Sequence, residues 1–252
     1  MIDVNDGLRS PTSGLGDPEF DKAASADYAA VHLNDLQLSN AYRSSWIARK
    51  IVDIPAHDSL RKWRTWQGDA NRVATLRALE KRLDVRGKLL ECKTMARLWG
   101  GAAVFMGTDQ APTQPLDASR LGVGGLKYLT VMTRRELSSD ELEQDPAARY
   151  FNRPRSYSIN GQTVLTRNVH PSHFVVQIGD PHPDKREAYG ENSGWGDSVL
   201  QAAYAATMQA DGAAANIASL IFEANVDVFG IPDLTSRLSS KRDGSRTDYE
   251  RG

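Results

Sequence analysis

The stretch VRGKLLECKTMARLWGGAAVFM, residues 85–106, decides the fold because it passes from one kind of structure to another. Leu89, Leu90 and Met95 recur at helical spacing, and Gly100-Gly101 then marks the end of that helix. The next residues, Ala102–Met106, form a short uncharged run of the kind found in strands. This stretch therefore predicts a helix that leads directly into a β-strand.

Two helical regions are predicted: one precedes this stretch, and the other begins before it and continues into it. In Asn40–Leu60, isoleucines recur at i, i+4 and i+7, with Ser39 or Asn40 as the N-cap and Pro55 as the stop. The second region continues past a break at Gly87, and its first apolar residues at helical spacing are Val73, Leu76, Leu79 and Leu83. Each region is therefore expected to turn one apolar stripe toward a core.

The middle of the chain is predicted to be rich in β-structure. Its further β-type runs are Leu126–Met132, Arg155–Ile159, Thr163–Val169 and Phe174–Ile178. Asn160-Gly161 separates two of these runs and predicts a hairpin, because both central residues of a type I′ turn need positive φ. Gly122-Val123-Gly124-Gly125 lacks the order and context of a dinucleotide-binding loop and is interpreted as a turn.

A long helix is predicted for Asp197–Asn225, which is rich in alanine and has no proline. At 1.5 Å per residue it would measure roughly 40 Å. Thr235–Gly252 has only Leu238 and Tyr249 as large apolar residues and cannot complete a core. Helices at both ends and a β-rich segment between them place the chain in the α+β class.

Charge is distributed unevenly, although the formal net charge is only -1. Residues 1–39 contain seven acids and two bases and are interpreted as a flexible acidic arm. From Arg43 to Arg97, fourteen basic residues stand against six acids. Two interpretations stay open: these helices are solvated or pair with the acidic arm, or they form a surface for a polyanion or another subunit.

Composition excludes several classes of protein. The single cysteine, Cys92, rules out a disulfide framework or a cysteine-based zinc site, and it fits a reducing compartment. No apolar run approaches the roughly 20 residues of a membrane span, so neither membrane binding nor a signal peptide is expected. No P-loop or nucleophile-elbow motif is present, and no cofactor is expected.

The histidines suggest one catalytic hypothesis. His57-Asp58-Ser59 and His170-Pro171-Ser172 are two H-x-S tripeptides, which two-histidine phosphoesterases use for acid–base attack on a phosphodiester. His170 and His173 are not interpreted as a metal pair, because Pro171 lies between them and no acidic or cysteine partner stands at ligand spacing.

Tryptophans and bases cluster in the segment that follows the first helix. Trp63-Arg64-Thr65-Trp66, with Arg61 and Lys62, suits stacking on a nucleic acid strand. The alternative is that these tryptophans anchor a helix end or a joint between subunits. We expect a subunit interface formed by Arg61, Trp63, Arg64, Trp66 and Trp195.

Several local patterns together resemble the phage portal protein family, in the portal-like branch that is grouped beside anti-CBASS proteins. The blocks are AYRSSWIARKIVDIPAHD at 41–58 with RKWR at 61–64, ARLWGGAAV at 96–104, VHPSHFVV at 169–176 and GWGDSVL at 194–200. Their order and spacing agree over about Asn40 to Leu234. The resemblance covers the N-terminal half of the usually longer family members.

This resemblance implies a structural protein without an active site, and therefore no enzyme. Portals form a ring, commonly of twelve subunits, at one capsid vertex of the virion, and they assemble in the host cytoplasm. Double-stranded DNA is packaged through the ring by a terminase and later ejected, and capsid and head-completion proteins are further partners. By analogy, Asn40–Met106 belongs to the wing, Leu126–Ile178 to a clip-like or wing β region, and Asp197–Asn225 to a stem-type or wing helix.

The resemblance also divides the chain into an arm (1–39), a portal-like region (40–234) and a polar tail (235–252) that is interpreted as a truncated end. Non-specific contacts to DNA phosphates are expected from Arg237, Lys241, Arg242 and Arg246. Two alternatives stay open. One is a two-histidine phosphodiesterase for cyclic oligonucleotides, which requires His57 and His170 to lie within one phosphate's reach. The other is an inactive prophage remnant.

Overall fold

The structure, a computed structural model, describes residues 32–139, 142–148, 151, 153–160, 165–183 and 194–223. The chain divides into two compact units, Met1–Tyr204 and Ala205–Gly252, and each is treated by itself below. Within the described part, the first unit has four helices, two three-stranded sheets and the start of a fifth helix. This combination of helices and antiparallel sheets confirms the α+β class.

Helices α1 (Asp35–Ser44) and α2 (Trp46–Ser59) replace the single helix predicted for Asn40–Leu60. The first begins earlier than predicted because Asn34 and Gln37 form a capping box. Ser45 separates the two helices, since its backbone is extended and its hydroxyl accepts a hydrogen bond from the Ala48 N–H. The expected arm boundary at 39/40 thus falls inside α1, and residues 1–31 of that arm lie outside the described residues.

Pro55 lies inside α2, so the prediction that it ends the helix is wrong. Proline lacks the N–H that would bond to the carbonyl four residues earlier, which here belongs to Ile51. Arg97 supplies the missing donor: its Nη2 donates to the Ile51 carbonyl at 2.8 Å, and its Nε donates to the Val52 carbonyl at 2.9 Å. A guanidinium from another helix therefore lets α2 continue through the proline.

Helices α3 (Ala70–Arg82) and α4 (Val85–Trp99) confirm the second helical region, but the break between them is not at Gly87. The chain turns at Asp84, which has a φ of 47° and whose carboxylate accepts a hydrogen bond from the Gly87 N–H. A side chain at position 87 would collide with that carboxylate. Gly87 therefore belongs to the first turn of α4 and leaves room for its cap.

The glycine pair at the end of α4 is confirmed as the transition into strand β1 (Gly101–Thr108). Gly100 has a φ of 86°, and a Cβ there would collide with the carbonyl oxygen of Gly196. The Gly100 carbonyl accepts hydrogen bonds from the N–H groups of Gly179 and Gly196, at 2.9 and 3.0 Å. Three distant segments of backbone therefore meet at this glycine.

Five further strands follow β1, and all pairings are antiparallel. They are β2 (Leu126–Thr133), β3 (Leu137–Ser139), β4 (Tyr157–Asn160), β5 (Leu165–Val169) and β6 (Phe174–Ile178). The first sheet has the order β2-β1-β6 and the second sheet has the order β3-β4-β5. The β-rich middle segment is therefore confirmed, and β3 is an addition that the sequence did not predict.

Strands β4 and β5 pair as the hairpin signal predicts, but the turn is longer than two residues. Asn160 pairs with Leu165, so it is the last residue of β4 and not the first residue of a tight turn. The connection is therefore residues 161–164, which lie outside the described residues. The turn predicted at Gly122–Gly125 is confirmed by a 2.9 Å bond from the Gly125 N–H to the Gly122 carbonyl.

The first sheet lies between α4 and the second sheet. On one face, Ala102 and Val104 of β1 pack against Cys92 and Ala96 of α4. On the other face, Ala103 belongs to a cluster that is completed by Leu137, Tyr157, Val169, Phe174 and Trp195. Because side chains alternate along a strand, one strand serves both clusters. A third cluster joins α1, α2 and the end of α4 through Leu38, Val52, Leu98 and Trp99.

Helix α5 (Leu200–Glu223) confirms the predicted long helix and begins three residues later than predicted. The Ser198 hydroxyl accepts a hydrogen bond from the Leu200 N–H at 3.2 Å, and the Ser198 carbonyl accepts one from the Gln201 N–H. Twenty-four residues correspond to a length of about 36 Å. Leu200 and Tyr204, in the first unit, pack against the cluster formed by α1, α2 and α4.

Candidate functional site

The tryptophan and arginine cluster predicted from the sequence is organised around one carboxylate. Glu80, on α3, accepts hydrogen bonds from Trp66 Nε1 at 3.1 Å, Arg64 Nε at 2.9 Å and Trp63 Nε1 at 3.4 Å. The Arg64 guanidinium also lies over both indoles, 5.1 Å from the Trp63 ring centre and 4.4 Å from that of Trp66. The segment before α3 is therefore fastened to α3 by an ion pair and two indole hydrogen bonds.

Glu80 is the residue of this cluster that the sequence reasoning missed. Hydrogen bonds from Arg64 and then from Trp66 lower the pKa of the Glu80 carboxyl below its ordinary value. A signal was present in the sequence, because Glu80 is the only acidic residue within α3. The cluster therefore stays ionised and joined at neutral pH.

Four of the five residues predicted at a subunit interface surround this cluster. Trp63, Arg64 and Trp66 direct their polar groups to Glu80 of the same chain. The Arg61 side chain is exposed, while its carbonyl accepts a hydrogen bond from Arg86 Nη2 at 3.1 Å. The contacts observed here join the segment before α3 to the last turn of that helix, in keeping with the alternative that these tryptophans anchor a helix end.

Trp195, the fifth residue predicted at the interface, has its side chain buried inside the first unit. It is 4% exposed and lies 6.1 Å from Tyr157, measured between ring centres. Its ring also covers Gly101, where a Cβ would collide with the indole. Trp195 therefore packs the core beside the glycine pair and offers no surface to a neighbouring molecule.

Apolar side chains are nevertheless exposed in both units. In the second unit, α5 exposes Ile217, Leu220 and Ile221, with exposed fractions of 59%, 63% and 67%. In the first unit, β6 is an edge strand of its sheet and exposes Val175 and Ile178. Edge strands usually carry charges that discourage pairing with other chains, and β6, with the sequence FVVQI, carries none. These are the surfaces that suit contact with another protein molecule.

The two histidines of the catalytic hypothesis lie on opposite sides of the first sheet. His57 is exposed on α2, which packs against α4 on the Ala102 face of β1. His170 precedes a short 3-10 turn, Pro171–His173, and the buried His173 ring stacks on Phe105, on the Ala103 face. The two imidazoles of one chain therefore do not converge on one phosphate.

The second histidine has a local structural role. His170 Nδ1 lies 2.7 Å from the Ser172 hydroxyl, which accepts a hydrogen bond from the Leu116 N–H. His173 Nε2 lies 3.0 Å from the Gln114 carbonyl. Burial, and then the neighbouring His173, lower the pKa of His170, so its ring is neutral at pH 7. Together these contacts hold the loop of residues 109–118 against the sheet.

Two clefts accompany these elements. A cleft of about 240 Å³ lies between α2, α4 and the end of β6, and its basic residues are Lys93, which donates to Ser59 Oγ at 2.9 Å, and Arg97. A larger one, of about 630 Å³, lies beside β6 and is lined mostly by apolar residues, with Arg153 and Ser172 among its polar ones. Neither brings together an acid and a base in catalytic geometry.

The described residues contain no cluster of three histidine, cysteine or acidic side chains that could hold a metal ion. In the same part of the chain, no helix has the length and apolar character needed to cross a membrane. The residues predicted to contact DNA, Arg237, Lys241, Arg242 and Arg246, lie outside the described residues. That prediction therefore stays a prediction.

The described part thus consists of helices and sheets, with exposed apolar side chains in each unit. The family model described as phage portal protein matches residues 36–251, and the chain belongs to the phage portal protein family. This confirms the family resemblance.

Curated relatives add a second name. The chain is 36% identical over 233 residues to a protein named anti-CBASS protein Acb1 from Caulobacter sp. (strain RHG1), covering 91% of this chain and 37% of the relative. It is 37% identical over 236 residues to a protein of the same name from Sphingomonas paeninsulae, covering 93% and 38%. It is 26% identical over 247 residues to an uncharacterized protein of Haemophilus influenzae, covering 95% and 53%. The chain therefore spans little more than a third of the first two relatives.

Proposed function

We propose that this chain is the structural subunit, or part of the subunit, of a portal ring through which phage DNA is packaged and ejected. It acts by assembling with copies of itself into a ring, and it converts no substrate. The twelve-fold ring, the terminase, the capsid and head-completion partners and assembly in the host cytoplasm all belong to this proposal. Family membership supports it, since the matched region extends over most of the chain.

The observation that carries the proposal is the exposed apolar surface of α5 in the second unit. Ile217, Leu220 and Ile221 recur at i, i+3 and i+4, so they form one stripe along the helix. Full burial of such a side chain contributes roughly 1.5–3 kcal/mol relative to leaving it exposed. We assign this stripe to one side of a head-to-tail contact with a neighbouring subunit, because a ring closes through contacts between two different patches of each subunit.

DNA contacts in this proposal are made by phosphate attraction without base recognition. Arg237, Lys241, Arg242 and Arg246 follow α5 in the sequence and are proposed to face the passage. Their contribution would show as a salt-dependent affinity for duplexes of unrelated sequence, with a slope that falls when these bases are replaced.

Sedimentation velocity tests the assembly. The double variant Ile217→Asp/Leu220→Asp is expected to convert an oligomer into slower-sedimenting species, because it puts two charges into the apolar stripe. The matched control, Ala215→Asp/Ser219→Asp, adds the same charge on the other side of α5 and is expected to leave the oligomer intact. Equal effects of the two variants would contradict the assignment of the stripe to a subunit contact.

A second candidate is phosphodiesterase activity on cyclic oligonucleotides, and the names of the two relatives favour it. The separation of His57 and His170 by the first sheet speaks against a joint site in one chain. The test is hydrolysis of cyclic oligonucleotides by the purified chain beside His57→Ala and His170→Ala. The portal proposal expects no turnover from any of the three, whereas turnover lost in both variants would establish the second candidate.

A further inference from the structure

Six basic side chains lie on α3 and in the segment before it. All six are exposed, and this group is called the basic surface: Arg61, Lys62, Arg72, Arg77, Lys81 and Arg82. None of the residues of α3 is buried, so the helix lies at the margin of the first unit. The surface is therefore accessible to a partner from solvent.

The two carboxylates that lie between Arg61 and Arg82 are already engaged. Residues 61–82 contain two acids, Asp69 and Glu80. Glu80 binds Arg64, Trp66 and Trp63, as described above, and Asp69 caps α3 by accepting hydrogen bonds from the Asn71 and Arg72 N–H groups at 3.1 and 3.3 Å. Both charges are thus committed to the local fold.

The basic surface consequently has no carboxylate partner among the described residues. Arg82 donates to the Leu126 carbonyl at 3.1 Å, which satisfies a donor but does not neutralise its charge. Residues 61–82 carry seven bases against two acids, a formal charge of +5. The like charges of Arg77 and Lys81, one helical turn apart, destabilise α3 slightly unless an anion lies between them.

Residues 1–31 have the complementary composition. They carry six acids, Asp3, Asp6, Asp17, Glu19, Asp21 and Asp27, against Arg9 and Lys22, a formal charge of -4. Because residues 1–31 are joined covalently to the described part of the same chain, their effective concentration near its surface is roughly millimolar. The acid that directly follows this segment on α1, Asp35, already binds Arg134 at 3.1 Å and Arg135 at 3.0 Å.

We propose that the acidic segment 1–31 docks on the basic surface of its own chain and shields that surface from polyanions such as duplex DNA. The two formal charges, +5 and -4, are opposite in sign and similar in size, and the carboxylates within residues 61–82 are not available to compete. The inference does not depend on ring formation, so it stands or falls separately from the proposed function.

Zero-length carbodiimide cross-linking of the full chain tests the contact, because it joins only carboxylates and lysine amines that touch. We expect the acids of residues 1–31 to be linked to Lys62 and Lys81, and not to the exposed control lysines Lys50 and Lys127. Mixed light and heavy isotope-labelled chains identify the donor of each link. Links spread evenly over the four lysines, or links formed only between different copies, would overturn the proposal.

Shielding is tested with a full-length variant in which the six acids of residues 1–31 are replaced by Asn or Gln. Its affinity for a duplex of arbitrary sequence is expected to rise about tenfold at low salt and by less at 200 mM, since the attraction is screened. Adding Arg77→Glu/Lys81→Glu should remove that gain. The equally charged control Arg120→Glu/Arg155→Glu should retain it, and an equal loss in both would contradict docking at the basic surface.

Discussion

Helices α3 and α4 are neighbours in sequence and similar in length, but they are held in different ways. α4 buries Cys92, Ala96, Leu98 and Trp99, and it contacts the first sheet, α1 and α2. α3 buries no residue and is fastened mainly through Glu80. The comparison shows that burial and close backbone packing hold α4 in place, whereas electrostatic contacts hold α3. Function that requires movement or an exchange of partners is therefore expected at α3.

The largest effect is expected at the glycine that ends α4. Gly100→Ala puts a Cβ against the Gly196 carbonyl and forces an L residue to keep a φ of 86°. The conformational cost of roughly 1–2 kcal/mol and an overpacking cost of 1–3 kcal/mol together predict a loss of about 3 kcal/mol. Urea unfolding of the variant measures it, and a loss below about 1 kcal/mol would show that the three backbone segments are not tightly joined there.

A smaller loss is expected from Arg97→Met, which keeps the aliphatic stem and removes the donors to Ile51 and Val52. The carbonyl freed by Pro55 would then lack its partner, and the expected loss is about 2–3 kcal/mol. Lys93→Met, in the same cleft, removes only the bond to Ser59 and is the control. Equal losses in the two variants would exclude a special role for Arg97 in stabilising α2.

The attachment of α3 is expected to depend on pH through Glu80. The pKa of this carboxyl is lowered in the folded protein, so its stabilising effect is complete above the unfolded value of about 4.3 and is lost as pH falls toward the folded value. Amide hydrogen exchange in α3 should therefore accelerate relative to α4 below pH 4. Glu80→Gln should show the same acceleration already at pH 7, and protection that does not depend on pH would contradict the electrostatic anchor.

The smallest effect is expected at Cys92, on the protected helix. Its side chain is 1% exposed, and burial raises the pKa of the thiol to about 12, so Ellman's reagent should react slowly in the native protein. Because α4 does not depend on the Glu80 anchor, Glu80→Gln should leave that rate unchanged. A faster reaction in this variant would mean that the two helices open together.

The sequence predicted the elements with strong periodicity and missed those that depend on distant partners. The helices, the glycine pair and five strands follow from local spacing. The continuation of α2 through Pro55 could not be predicted, because the compensating donor, Arg97, lies on another helix. Strand β3 has only three residues and gives no periodic signal.

The candidate site was predicted in composition but not in geometry. The Trp63, Arg64 and Trp66 cluster was recognised as an anchor or an interface, while its acceptor, Glu80, lies 14 to 17 residues farther along the chain. The burial of Trp195 could not be predicted from local sequence, because its ring packs on Gly101, which is distant along the chain. The placement of His57 and His170 depends on which face of the first sheet each segment packs against, and that is a tertiary property.

The central proposal is that this chain is a subunit, or part of a subunit, of a portal ring around a DNA passage. It is tested most directly by native mass spectrometry combined with electron microscopy of the purified protein. The account predicts a closed ring with a central opening and one discrete mass that is an integral multiple of the subunit. A protein that stays monomeric at every concentration and hydrolyses cyclic oligonucleotides would contradict it.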